Sequence, residues 1–156
     1  TAQTCKLKFF NHRIFPFIPF FLRDDSDKVR NYVISLLPGI ACKFSSFARK
    51  LTETLADMSD SKDYTERQTY MQVLSTMADF FSKEEQSDIV FSYLVQALQD
   101  PDHGVVILAL EILTRHRRLI HPFKVTYELK PLVEKLTTNC SPTIKMRADR
   151  LYEMCK

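Results

Sequence analysis

Four histidines and four cysteines are the side chains of this chain best suited to chemistry. Imidazoles and thiolates ligate zinc, and a thiol or hydroxyl beside a base can act as a nucleophile. His103 adjoins Asp102, His116 lies within Arg115–His116–Arg117–Arg118, and His121 precedes Pro122. None of them forms a His-Glu-x-x-His pair, and no two of Cys5, Cys42, Cys140 and Cys155 stand at Cys-x-x-Cys spacing. No Gly-x-Ser-x-Gly elbow is present to expose a serine beside an oxyanion hole. The two glycines, Gly39 and Gly104, are isolated. Phosphate-cradling loops need clustered glycine so that backbone can approach the ligand. The sequence therefore predicts no catalytic centre, no metal and no cofactor.

The densest charge run, Arg115–His116–Arg117–Arg118, admits three readings. Cations favour the carbonyl end of a helix. Arginines also grip acidic or phosphorylated partner segments bidentately. Nucleic acid is the third reading, and it is weakened by the lack of a basic stripe interleaved with aromatics. The net charge of +3, from 22 basic and 19 acidic residues, does not by itself announce a nucleic-acid binder.

The elements that would position these groups are helical. Two glycines in 156 residues, with no Asn-Gly or Asp-Gly, cannot supply the tight turns of a β-rich fold. Hydrophobic residues at 45% exclude wholesale disorder. The longest strongly apolar run, Ile14–Leu22, is broken by Pro16 and Pro19 and is far shorter than the ~20 residues a span needs. Cysteines without a framework point to reduced thiols in an intracellular protein, cytoplasmic or nuclear. Thr1–Lys8 does not read as a signal peptide, and the missing initiator Met suggests a piece of a longer protein.

Four segments align in one register: Val29–Leu37, Glu66–Leu74, Val105–Leu113 and Ile144–Tyr152, at offsets of 37, 39 and 39 residues. Their columns are Val33/Tyr70/Ala109/Ala148, Leu36/Val73/Ile112/Leu151 and Leu37/Leu74/Leu113/Tyr152. Spacing of i, i+3 and i+4 is one face of an α-helix. A polar patch precedes each: Asp24–Asp27, Ser59–Asp63, Asp100–Asp102 and Asn139–Pro142. Such residues turn the chain and cap the helix that follows. Another helical stretch is expected before each patch, at about 9–22, 46–57, 85–99 and 122–138, with a kink or late start at Pro131. The unit is helix, turn, helix, repeated about four times over 9–43, 45–82, 84–119 and 121–156 in a single domain. Stacked neighbours would bury the core that one pair cannot bury alone.

This pattern resembles the HEAT/armadillo superfamily of α-solenoids. Asp24–Val33 is similar to the HEAT turn, in which an Asp precedes the Val-Arg pair that opens the second helix, and Leu98–Val105 is a second match. In that family the Asp and Arg form a ladder between repeats. Here the Arg column reads Arg30, Arg67, Val106, Lys145, and the Asp column reads Asp27, Tyr64, His103, Pro142, so the ladder would be whole once. The resemblance implies an all-α, right-handed stack whose second helices line a concave face. Asn31, Ser35, Gln68, Gln72, Ile107, Glu111, Met146 and Arg150 would face outward there, with Ile107, Leu108 and Met146 as apolar anchors. The function it implies is a non-catalytic scaffold or adaptor that holds a peptide or helical segment of a partner protein. The alternatives are a regulatory subunit of an enzyme complex and a nucleic-acid-binding helical repeat. Six phenylalanines between Phe9 and Phe21 would form either an edge that packs on a further repeat or a docking surface for a partner or a second copy.

Overall fold

The computed structural model describes residues 2–117, 120–139 and 141–155, and the side chains among them except those of 2–7, 86 and 87. The helices are α1 (Ala2–Arg13), α2 (Phe17–Leu22), α3 (Asp27–Ala41), α4 (Phe47–Thr54), α5 (Tyr64–Met77), α6 (Lys83–Glu85), α7 (Phe91–Ala97), α8 (His103–His116), α9 (Pro122–Lys124), α10 (Lys130–Leu136) and α11 (Pro142–Met154). A 3-10 turn, Ala56–Asp60, follows α4, and π turns Gln86–Val90 and Val125–Leu129 join α6 to α7 and α9 to α10. No strand occurs among the described residues.

The second helices α3, α5, α8 and α11 pack side by side in chain order, and α2, α4, α7 and α10 each pack on the second helix that follows them. The fold is an α-solenoid of four helix-turn-helix units. Its regularity extends to the backbone. Adding 39 residues maps α5 onto α8, α6 onto α9, the first π turn onto the second, and α7 onto α10. Pro131 is therefore not the origin of its π turn, because Ser92 holds the same place in the preceding unit. The widened turn instead accommodates a residue that cannot donate a backbone hydrogen bond.

The expected stretch 9–22 is two helices. Pro16 has no N–H and disfavours helix at Phe15, and the chain turns through Ile14–Pro16 with Phe17 N–H donating to Ile14 O at 3.1 Å. Pro19 is tolerated in the first turn of α2, where no donor is required.

The turn that leads into each second helix is closed in the same way. A side-chain oxygen accepts the N–H two residues on: Asp24 from Ser26 (2.8 Å), Ser61 from Asp63 (3.2 Å), Asp100 from Asp102 (2.8 Å) and Asn139 from Ser141 (2.8 Å). Asp63 and Asp102 then cap α5 and α8 by accepting from Thr65 and Val105. These side-chain oxygens replace partners that the first helical amides lack.

One apolar cluster runs from Phe10 to Cys155. The three sequence columns supply much of it: Tyr70, Ala109, Ala148, Leu37, Leu74, Leu113 and Leu151 are all fully buried. Leu36 departs from its column. Val73, Ile112 and Leu151 are at most 1% exposed, whereas Leu36 is 47% exposed. No preceding unit among the described residues covers it.

Between units the polar ladder differs from the expected one. Arg30 pairs with Asp27 and donates to the carbonyls of Asp24 and Asp25, all within its own unit. The rung that crosses units is Arg67 to Asp100, at 2.7 and 3.0 Å. The acid thus comes from the head of the next turn, not from the Asp27 column. At the equivalent place ahead of α5 stands Ser61, so Arg30 has no carboxylate to reach there.

Candidate functional site

The row α3–α5–α8–α11 carries the predicted ridge. Asn31 and Ser35 are exposed on α3, and the Ser35 hydroxyl donates to Tyr32 O at 2.6 Å. Gln72 is half-buried on α5, and Met146 and Arg150 are exposed on α11. Four of these five residues are thus exposed and one is partly covered.

Four other members are already engaged. The Gln68 amide donates to Asp102 across units at 2.8 Å, and Glu111 pairs with Arg147 at 2.8 Å. Ile107 and Leu108 are half-buried and packed against the core, so they are not free anchors. Met146, 62% exposed, is the one proposed apolar anchor that stands open.

The basic run does not act as one patch. Successive helical residues point about 100° apart, so they cannot share a face. Arg115 is exposed, His116 is buried, and Arg117 is half-buried with an Nε that has no partner among the described residues. Arg118 lies outside the described residues. Burial holds the His116 imidazole below its ordinary pKa, and neighbouring Arg115 adds to this, while Asp79, 3.6 Å from Nδ1, opposes it.

Arg115 instead joins the ridge. It stands one turn beyond Glu111 on α8, and with Leu110, Glu111, Thr114, Arg147, Arg150 and Met154 it lines a groove of about 580 Å³ between α8 and α11. Sequence reasoning missed Arg147, Thr114 and Met154. The available signal for Arg147 was its place one helical turn before Arg150, which itself falls in the Glu111 column.

A second groove, of about 810 Å³, lies at the other end. Phe9, Phe10, Ile14, Leu36, Gly39, Ile40, Lys43 and Phe44 line it. Phe10 is anchored beneath, stacked on Phe44 at 4.5 Å. Phe9, Phe17, Phe20 and Phe21 remain exposed, so most of the Phe-rich segment is surface. Among the described residues no three His, Cys, Asp or Glu side chains gather as a metal site, and no helix is long and apolar enough to cross a membrane.

No protein-family model and no curated protein sequence matches the chain. Solved structures do. The chain is similar to the crystal structure of Cex1p, with a TM-score of 0.74 and 20% identity over 94% of this chain and 28% of that one. It is also similar to a designed armadillo repeat protein, with a TM-score of 0.56 and 18% identity over 89% of this chain and 63% of that one. The chain thus spans well under a third of the Cex1p chain it matches. Together with the four stacked units, these likenesses define the class: a helical-repeat solenoid.

Proposed function

We propose that the chain is a non-catalytic interaction module of HEAT or armadillo type, which holds a segment of a partner protein along the row α3–α5–α8–α11. One observation carries this reading. In that row Leu37, Tyr70, Leu74, Ala109, Leu113 and Ala148 are sealed into the core, while Asn31, Ser35, Met146 and Arg150 are exposed and Gln72 is half-buried, which supports a ligand-facing ridge along these helices. Side-chain amides and hydroxyls spaced along stacked helices can hydrogen-bond an extended backbone, and solenoids present long surfaces of this kind. A reducing intracellular compartment suits the free thiols of Cys42 and Cys155.

A photo-crosslinking amino acid placed singly at Ser35, Gln72 and Met146 tests the reading, with Glu53 and Lys135 on the first helices as controls. The expected result is one and the same partner captured from all three ridge positions and from neither control. Equal capture from the controls, or capture from them alone, would overturn it.

A further inference from the structure

We propose that the groove between α8 and α11 receives a phosphorylated side chain of the partner segment. The proposal rests on the interaction-module reading and specifies its ligand.

The groove brings three guanidinium groups, Arg115, Arg147 and Arg150, together with one carboxylate, Glu111, a local charge of three minus one. Four arginines elsewhere in the molecule are spent on acids: Arg23 on Asp57, Arg30 on Asp27, Arg49 on Glu53 and Arg67 on Asp100. Here the cations are left over. Among the described residues Glu111 holds only Arg147, at 2.8 Å, and Arg115 has only the neutral Ser75 hydroxyl, at 3.4 Å. No hydrogen bond or ion pair engages Arg150 among the described residues. Within Arg147 itself, Nε is buried and makes no hydrogen bond.

Two uncompensated cations match a phosphomonoester, which carries about −1.5 to −2 charge at neutral pH and offers three acceptor oxygens. A single carboxylate would leave one guanidinium unpaired. The fork of each guanidinium suits bidentate contact with phosphate oxygens. Leu110, Thr114 and Met154 complete a groove roomy enough for a side chain, and the ridge leads from it toward Met146 and Gln72, where the peptide backbone can continue.

A polyanion fits less well. Nucleic acid needs cations repeated along its track. Away from this groove the ridge offers Asn31, Ser35, Gln68 and Gln72, all neutral. The charge is focal, as one modified residue requires.

The test uses fluorescent peptide libraries with a central phosphoserine and randomised flanks, matched Ser and Glu libraries, and a poly-U RNA. Binding is read by anisotropy with wild type, Arg115→Ala, Arg150→Ala and Glu111→Gln, each first shown to have the wild-type circular dichroism. The phosphoserine library is expected to bind at least about tenfold tighter than the Ser and Glu libraries, and each Arg→Ala change to weaken it about tenfold. Glu111→Gln should tighten binding severalfold by releasing Arg147, an effect that mere structural damage would not produce. Equal affinity for the phosphoserine and Ser libraries, or for the phosphoserine and Glu libraries, would overturn the proposal. So would RNA binding that is tighter than peptide binding, or phosphopeptide binding indifferent to Arg150→Ala. If crosslinks from Ser35, Gln72 and Met146 persist while phosphopeptide binding is absent, only the ligand assignment falls. If those crosslinks are themselves absent, the underlying reading falls.

Discussion

Arg67 shows how one side chain ties two units together. Its guanidinium holds both oxygens of Asp100 and donates to the carbonyls of Ser61 (2.8 Å) and Lys62 (3.3 Å). The hydrogen bond to Asp100 raises its pKa, against the opposing effect of burial. Next to it, burial would raise the Asp102 pKa, but hydrogen bonds from Gln68 and the N–H groups of Val105 and Gly104, with the charge of Arg67, outweigh it and lower the carboxyl. Both partners of the Arg67 pair are largely shielded, with side chains 13% and 9% exposed. Arg67→Ala should therefore cost about 2–3 kcal/mol, somewhat less than a fully buried pair. A double-mutant cycle with Asp100→Ala in urea should return a coupling of about 1–2 kcal/mol, and a coupling near zero would remove the rung. His116 predicts a pH dependence. Its folded pKa lies below the ordinary value of about 6.5, so the unfolded chain binds the proton more readily. The folded state is undisturbed above that value and loses stability as pH falls below it. The thermal midpoint of wild type should drop between pH 7.5 and 5.5, and His116→Leu should reduce that drop.

At the scale of elements, the two glycines separate two uses of one residue type. Gly39 lies within α3, and a Cβ there would meet nothing within 4 Å. Gly39→Ala should stabilise by about 0.5–1 kcal/mol through helix propensity. Gly104 lies in the first turn of α8, where a Cβ would stand 2.4 Å from Gln68 Nε2. Gly104→Ala must displace the Gln68 amide and strain its hydrogen bond to Asp102, so less of the propensity gain is kept. Paired chemical denaturation curves check both, and equal stabilisation by the two changes would refute the distinction. This contrast also marks what was legible in the sequence. Helix positions and the four turns were legible because apolar spacing and turn chemistry are local signals. The fate of Gln68 and Glu111 was not, because each is decided by a neighbour 34 or 36 residues away, Asp102 and Arg147. The groove was half legible: Arg115 and Arg150 were each singled out, but their meeting depends on how α8 and α11 pack.

On the scale of the whole molecule, the constant offset of 39 residues between α5, α8 and α11 has a consequence for the gene. Excising residues 101–139 would join Asp100 to the segment that leads into Ser141. The accepting oxygen and the N–H two residues on would again face each other, and Arg67 would keep its acid. The columns Ala148, Leu151 and Tyr152 would then meet α5 where Ala109, Ile112 and Leu113 do now. The shortened protein should retain the wild-type helical ellipticity per residue and unfold cooperatively at a lower urea midpoint, whereas a random-coil spectrum would show that the third unit is indispensable. Most folds do not survive the loss of a quarter of their codons. Here an unequal recombination between neighbouring repeats would shorten or lengthen the molecule by one notch and keep its reading frame of turns, so that length is something its lineage can change without inventing a new fold.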